Sequence, residues 1–267
     1  MSKSKVNANS SSPSAIAIGA HPDDIEFMMA GTLLLLKKAG YNIHYMNLST
    51  GNCGSQEFDT KQTVMIRKQE SQHSAKILGA QYHESFCNDL EILYSVDLLR
   101  RLAAVIREVR PTIVLTQSPL DYMEDHINTN RLAVTAAFSR GMINFETIPS
   151  RHIVNQDVTV YHALPYGLCD GYGKPVVPGS IVNTTSVYET KLEVLSSHKS
   201  QQNWLGVSQG LNSYLLTMEE MSLEIGKKYS NFKHAEGWQR HSHLGFCGKD
   251  ADPLSDALAE NYQININ

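Results

Sequence analysis

The sequence predicts an α/β fold, a Rossmann-like three-layer sandwich with a mostly parallel sheet, from two observations. Short apolar runs of strand length alternate with longer segments in which apolar residues recur at helical spacing. The 267 residues are 42% hydrophobic and 19% charged, which is ample for one large core. We expect residues 1–14, rich in Ser, Asn and Lys, to form a disordered tail and residues 15–267 to form a single domain.

Strands and helices of the first half follow in order, and a glycine or proline ends each helix. Gly40 and Gly79 end the first two predicted helices, and Pro111 follows the third. The alternation is typical of a parallel sheet covered on both faces. The predicted strands are "AIAIGA" (15–20), "YNIHYMNLS" (41–49), "YHESFC" (82–87) and "TIVLTQ" (112–117), and the predicted helices cover 25–40, 61–79 and 96–110.

The second half of the chain is less regular. We expect strands at "VTVYHAL" (158–164) and "SIVNTT" (180–185), joined by a loop rich in Gly and Pro. Two helices, near 186–203 and 211–230, close the fold. Neither an internal repeat nor a second domain boundary is evident in the sequence.

Ionisable residues stand directly after the first predicted strand, in "AHPDD" (20–24). The fourth strand is followed by the polar loop "SPLDYMEDH", which ends in His126. Doubly wound sheets bind ligands outside the carboxyl ends of their strands, where the strand order reverses. Because burying such groups without partners is costly, we expect the two loops to meet around a ligand.

The spacing of these residues suits a metal ion. His21 and Asp24 are three residues apart and fall on the same side of a helical turn, so both can bind one ion. His126 completes a set of two histidines and one carboxylate, which is typical of catalytic zinc and can also hold ferrous iron. The alternative interpretation is that Asp23 or Asp24 simply caps the helix that begins near residue 25.

Several segments resemble the LmbE-like (PIG-L) family of N-acetylglucosaminyl deacetylases. "AHPDD" after an apolar strand, followed by "EDHINT", is the specific part of the resemblance. Weaker matches fall in the same order as in the family. They are "RKQESQHSAKILGA" (67–80), "KLEVLSSHKSQ" (191–201) and "HAEGWQR" (234–240).

The resemblance implies a zinc-dependent hydrolase that removes an acetyl group from an amino sugar or its conjugate. By this resemblance His21, Asp24 and His126 are the metal ligands and Asp23 is the general base. Arg67 matches an arginine near the substrate. His198, in "SSHKSQQ", is either a surface or packing histidine or, by the resemblance, a residue that supports the site. A homo-oligomer is also compatible with the resemblance.

Residues next to the expected ligands have two interpretations each. Asp125 either holds an imidazole in its metal-binding tautomer or caps a helix from residue 127. The loop "TGNCGSQ" follows the second strand, so Asn52 or Gln56 either contacts substrate hydroxyls or belongs to a plain turn.

The sequence departs from the family at Met123, where many members carry a histidine that stabilises the oxyanion or protonates the leaving group. A thioether can do neither. Either Asp23 makes both proton transfers, or Tyr122, Arg67 or His198 substitutes, or the reaction differs from sugar deacetylation.

Composition excludes several other classes. A net charge of −4 without a Lys/Arg run does not favour nucleic acid or a polybasic membrane surface. The longest apolar run, "TLLLL", is too short to span a bilayer and the polar start lacks a signal-peptide core, so we expect a cytoplasmic protein. The four scattered cysteines form no CxxC pair.

Three alternatives remain open at this stage. The chain could be an amidase acting on a non-sugar or thiol conjugate, a degenerate sugar-binding relative, or a nucleotide-binding module, although neither GxGxxG nor a P-loop is present. His234, His241 and His243, with Glu236, could form a second metal site, against the simpler interpretation as surface histidines.

Overall fold

Eight strands form one sheet in the computed structural model, which describes residues 12–202 and 214–266. The strand order is β3-β2-β1-β4-β5-β7-β6-β8. The strands are β1 (Ser14–Gly19), β2 (Asn42–Asn47), β3 (Gln81–His83), β4 (Ile113–Thr116), β5 (Thr159–Ala163), β6 (Ser180–Asn183), β7 (Ala235–Arg240) and β8 (Tyr262–Ile264). The helices are α1 (Asp24–Met28), α2 (Ala30–Lys38), α3 (Thr60–Leu78), α4 (Val96–Val109), α5 (Glu124–Phe138), α6 (Tyr188–Ser196), α7 (Tyr214–Tyr229) and α8 (Pro253–Leu258).

The sheet has a parallel part and an antiparallel edge. Strands β3, β2, β1, β4 and β5 pair in parallel, whereas β7, β6 and β8 pair antiparallel. The prediction of a mostly parallel sheet is confirmed. Strand order reverses at the β1–β4 pair, where Ala15 aligns with Ile113, so the ends of these two strands flank the crevice.

The three layers follow from alternation along the strands. In β1, Ala15 and Ala17 belong to one apolar cluster, and Ile16 and Ile18 belong to another. The first cluster includes buried residues of α2, α3, α6 and α7, and the second includes those of α4 and α5. Helices therefore cover both faces of the sheet, as the sequence predicts.

The single helix predicted over 25–40 is wrong, because the segment is two helices divided at Met29. The break leaves the first N–H groups of α2 without intrahelical acceptors. The Glu236 carboxylate accepts the N–H groups of Gly31 and Thr32, at 2.8 Å each. A side chain at Gly31 would collide with Thr184 and with Glu236 itself. A residue about 200 positions away thus sets this break.

Other boundaries shift by a few residues. Ser14, predicted to lie in the tail, begins β1. The two helices predicted to close the fold correspond to α6 and α7, but β7, α8 and β8 follow them and were not predicted from the sequence. Residue 203 and residues 211–213 of the predicted helices lie outside the described residues, as do residues 1–11. Within the described ranges, every helix is too short or too polar to cross a membrane.

Candidate metal centre

The loops after β1 and β4 bring His21, Asp24 and His126 together. His126 Nε2 lies 3.4 Å from Asp24 Oδ1, and His21 Nδ1 lies 3.6 Å from Asp24 Oδ2. The three ligand atoms all lie within 4.8 Å of one another. Two atoms that each lie about 2.1 Å from a tetrahedral ion are about 3.4 Å apart, so the spacing fits a shared metal. These are the residues that the sequence predicts as ligands.

The Asp24 carboxylate is fixed by the backbone of the same loop. Its Oδ2 accepts the N–H groups of Ala20 at 3.0 Å and of His21 at 2.7 Å. Asp23 occupies the position before α1 but makes no capping hydrogen bond with its side chain. The capping interpretation of these two aspartates is therefore wrong.

Each imidazole turns its second nitrogen toward another carboxylate. His21 Nε2 donates to Asp125 Oδ2 at 2.9 Å, and His126 Nδ1 lies 3.1 Å from Asp121 Oδ1. Such outer carboxylates orient metal-binding histidines. Asp125 lies inside α5, which begins at Glu124, so it is not the helix cap. Sequence reasoning missed Asp121, although it is a polar residue of the same loop.

The electrostatics of this cluster favour a positive charge. Burial lowers the pKa of His21, but its contacts with Asp125 and Asp24 raise it to about 9. Burial likewise lowers the pKa of His126, and Asp24 and Asp121 raise it to about 10. The pKa of Asp24 falls well below its ordinary value because attraction to both imidazoles outweighs burial. A divalent cation would supply the charge that these carboxylates favour, and the residues fit one.

Asp23 stands beside the trio but belongs to a different set of contacts. Its Oδ2 accepts the Tyr214 hydroxyl at 2.9 Å and lies 3.4 Å from Arg67 Nη2. Burial and the neighbouring Asp24 raise the pKa of Asp23 above its ordinary value, against the attraction of Arg67. Its backbone φ of 110° is unusual for a residue other than glycine, and such strain concentrates at functional sites. The sequence carries no signal for Tyr214.

Arg67 is buried, and its guanidinium is already paired with groups of the protein. Its guanidinium donates to the Pro22 carbonyl and to Gln201 Oε1, in addition to its contact with Asp23. A side chain at Gly51 or at Gly54 would collide with Arg67, which explains the two glycines of that loop. Arg67 lines the cavity, so its predicted substrate contact stays a prediction.

The structure does not place Asn52 among the residues that line the cavity. Its Oδ1 accepts the Asp89 N–H at 2.7 Å, and the Asp89 carboxylate accepts the N–H groups of Gly51 and Cys53. The Asn52 side chain therefore stabilises the loop that contains it. Gln56 is exposed and does not line the cavity. The contact of Asn52 with substrate stays a prediction. Cys53 and Gly54 line the cavity instead.

His198 is fully buried and does not line the cavity. Its Nε2 donates to Glu26 Oε1 at 2.8 Å, and this carboxylate oxygen also accepts from Tyr45 and Ser74. Burial would lower the pKa of His198, but attraction to Glu26 and Asp23 raises it. Sequence reasoning missed Glu26, whose only signal is an acid within the apolar run "IEFMM".

The late histidines do not form a second metal site in the described part of the chain. His234 stacks on Tyr188 with ring centroids 3.8 Å apart, and His241 Nδ1 pairs with His162 Nε2 at 2.9 Å. Among the described residues, only His21, Asp24 and His126 are grouped as a metal could require. The second-site interpretation is wrong.

A cavity of about 290 Å³ opens onto the trio. Tyr122 lines it beside His126, with ring centroids 5.9 Å apart, and Met123 lines it as well. Phe27, Tyr166 and Tyr214 continue the aromatic wall, in which neighbouring rings are 5.3 to 6.4 Å apart.

Comparison with known proteins agrees with this geometry. Residues 16–137 match the family described as "PIG-L: GlcNAc-PI de-N-acetylase". An uncharacterized deacetylase of Escherichia coli, YaiS, is 30% identical over 141 residues, which are 50% of this chain and 69% of that protein. The chain belongs to the PIG-L family. Diacetylchitobiose deacetylase of Thermococcus kodakarensis is 29% identical over 192 residues, covering 70% of this chain and 69% of that protein.

The PIG-L fold extends over most of the chain. The N,N'-diacetylchitobiose deacetylase structure from Pyrococcus horikoshii covers 90% of this chain and 88% of its own, with a TM-score of 0.72 and 22% identity. Two proteins named for a different chemistry are also similar to this chain. A 4-oxalmesaconate hydratase of Pseudomonas putida is 32% identical over 142 residues, 50% of this chain and 55% of that protein. The structure of GalB, a 4-carboxy-2-hydroxymuconate hydratase from Pseudomonas putida, covers 85% of this chain and 95% of its own, with a TM-score of 0.69 and 25% identity.

Proposed function

We propose that this protein is a metal-dependent N-deacetylase that hydrolyses the acetamide of an amino sugar, such as N-acetylglucosamine or its conjugate. The observation that carries the proposal is the trio His21, Asp24 and His126 next to a second carboxylate, Asp23, in one cavity. The similarity to diacetylchitobiose deacetylase supports the reaction class. Water is added across the C–N bond, which yields acetate and the free amine.

The ion would be held by His21 Nδ1, Asp24 Oδ1 and His126 Nε2, with Zn²⁺ as the proposed metal. Two imidazoles and one carboxylate leave coordination positions open, and the same set accepts Fe²⁺. When bound, the ion lowers the pKa of water toward about 7 and polarises the amide carbonyl. Asp125 and Asp121 would hold the two imidazoles in the required orientation.

Asp23 would act as the general base. Tyr214 and Arg67 both contact its Oδ2, which leaves Oδ1 to take the proton from the attacking water. Because its pKa is raised, Asp23 holds a proton more readily than an exposed aspartate does, which helps it to keep the proton until the leaving group takes it. The same Oδ1–H would then protonate the departing nitrogen, so that one residue makes both transfers.

Tyr122 would donate a hydrogen bond to the developing oxyanion, in the role that Met123 cannot fill. Of the three substitutes that the sequence suggests, Arg67 is engaged by Asp23, and His198 lies outside the cavity. Tyr122 lines the cavity beside His126, and burial together with nearby carboxylates raises its pKa. Its hydroxyl therefore keeps its proton at neutral pH and can donate it in a hydrogen bond.

The test is amine release from N-acetylglucosamine and its glycosides by the metal-loaded protein. Asp23→Asn should lower kcat by roughly 10² to 10⁴-fold, the usual contribution of a general base, while bound metal is retained. Glu57→Gln, an exposed carboxyl change in the neighbouring loop, serves as the control and should leave kcat unaltered. Equal kcat for Asp23→Asn and wild type would remove Asp23 from the mechanism.

Hydration of a carbon–carbon double bond is the second candidate. The 32% identical hydratase and the absence of the family histidine at Met123 both favour it. Asp23 would again take a proton from water. Hydration releases no amine, so amine release from the acetamide decides between the two.

A further inference from the structure

We infer that the cavity selects an amino-sugar conjugate whose attached group is uncharged and apolar, and that Leu90 contacts that group. The inference rests on the proposed deacetylation and deepens it by naming the class of substrate. Three observations carry it: the charges that line the cavity, its aromatic wall, and the conformation of Leu90.

The lining charges are unfavourable for an anionic substrate. Asp23, Asp24 and Asp89 line the cavity, and Arg67 is the only Lys or Arg among its described lining residues. Arg67 is already paired with Asp23. A carboxylate or phosphate on the substrate would thus meet like charges without a free cation outside the metal position, which is costly at short range.

The aromatic wall is suited to an apolar or ring-shaped group. Phe27, Tyr122, Tyr166 and Tyr214 form a continuous series of ring contacts along the cavity. Such faces pack on sugar and aryl rings through burial of apolar area and ring stacking. Tyr122 is 52% exposed, which places uncovered aromatic surface at the opening.

Leu90 is held at the cavity in an unfavourable conformation. It has a backbone φ of 65°, its side chain is 74% exposed, and it lines the cavity. Its N–H donates to Asp125 Oδ2 at 2.8 Å, the same oxygen that accepts from His21. Left-handed backbone is unfavourable for leucine, yet Leu90 adopts it while lining the cavity and donating its N–H to the carboxylate that contacts His21, which places its side chain to contact a ligand there.

The experiment compares three glycosides in the metal-loaded protein: free N-acetylglucosamine, its phenyl glycoside and its 4-carboxyphenyl glycoside. We expect kcat/KM for the phenyl glycoside to exceed that for the carboxyphenyl glycoside by at least about tenfold. Leu90→Asn, which tolerates the same backbone φ, should lower the ratio of kcat/KM for phenyl glycoside over free sugar about fivefold. Leu93→Asn changes another exposed leucine of this loop, 63% exposed, that does not line the cavity, and should leave the ratio intact.

Binding of the same compounds to metal-loaded Asp23→Asn, measured by calorimetry, separates the two proposals. Tighter binding of the phenyl glycoside without turnover by wild type would overturn the deacetylation and support the substrate class. Turnover with equal or better use of the carboxyphenyl glycoside would overturn the substrate class and leave the deacetylation standing. An unchanged ratio in Leu90→Asn would overturn the assignment of Leu90.

Discussion

Two carboxylates, the buried Glu236 in β7 and the partly buried Asp24 at the start of α1, differ in how completely the chain satisfies them. Glu236 accepts from the N–H groups of Gly31 and Thr32, from the Thr32 hydroxyl and from Lys191 Nζ, at 2.6 to 2.8 Å. Both partners of the Lys191–Glu236 pair are 2% exposed. This cluster needs no ligand, and its role is to join α2, α6 and β7.

The Asp24 cluster is incomplete by comparison. Asp24 Oδ1 and His126 Nε2 are 3.4 Å apart, and Asp121 Oδ2 is a buried atom without a hydrogen-bond partner among the described residues. Asp24 and His126 line the cavity, and the distance between their ligand atoms fits a shared ion, so this cluster has room for a partner that the described part of the chain does not supply. The difference indicates that the complete charged cluster stabilises the fold, whereas the cluster left open at the cavity is the one that we propose to bind an ion.

Removing a ligand from the open cluster should have the largest effect on function. His126→Ala should reduce bound metal from about one ion per chain to almost none and abolish amine release, because two ligands cannot retain the ion. Elemental analysis of the purified protein measures this. His234→Ala, a buried histidine of the other region, is the control and should keep its metal. Full metal content in His126→Ala would show that the Asp24 cluster does not hold the metal.

Breaking the complete cluster should affect stability rather than metal. Glu236→Gln leaves the Lys191 ammonium buried without a counter-charge, which costs roughly 3–5 kcal/mol. Thermal unfolding should then show a Tm lower by about 10 °C. Pairing this change with Lys191→Met should restore part of the loss. An unaltered Tm for Glu236→Gln would contradict the structural role.

Weakening an outer carboxylate of the open cluster should have an intermediate effect. Asp125→Asn keeps the shape but loses the charge that orients His21, so metal affinity should fall about 10- to 100-fold. Competition with a chelator of known affinity measures this change. Asp97→Asn, an exposed acid of α4, should bind metal as wild type does. Equal affinity in Asp125→Asn would show that His21 needs no such support.

The smallest effect concerns protons. In the metal-free protein the pKa values of His21 and His126 are about 9 and about 10, so both imidazoles carry protons at pH 7. Metal binding should release these protons, and the metal affinity should rise with pH up to about 10, where the second imidazole loses its proton. Calorimetry in buffers of different ionisation enthalpy detects the release. The metal-free fold should also lose stability as the pH rises from 7 to 10. The protonated imidazoles stabilise the fold fully below pH 6.5, the ordinary pKa of histidine, and this contribution is lost as the pH passes the raised pKa values of the folded protein. Binding without proton release would contradict the assignment.

Much of the open cluster could be predicted from sequence because it depends on local rules. Apolar strands followed by polar loops predict that His21 and His126 meet at one edge of a parallel sheet, and the structure brings them together. The spacing of the residues already indicated the same three ligands, and the family resemblance added the candidate base, Asp23.

The rest depends on contacts between distant residues, which periodicity does not encode. Tyr214 reaches Asp23 across 191 positions, and Glu236 divides α1 from α2 across 205. The direction of the edge strands β6, β7 and β8 likewise follows from tertiary packing. Leu90 was missed because its exposure and left-handed backbone are visible only in three dimensions.

The most direct test of the central claim is a titration of Zn²⁺ into the metal-free protein, followed by amine release from an N-acetylglucosamine glycoside. We expect activity to rise linearly and to reach its maximum near one equivalent in the wild type, and to stay absent in Asp24→Asn at the same concentrations. Amine release that is independent of added metal, or that is restored equally in Asp24→Asn, would contradict the account.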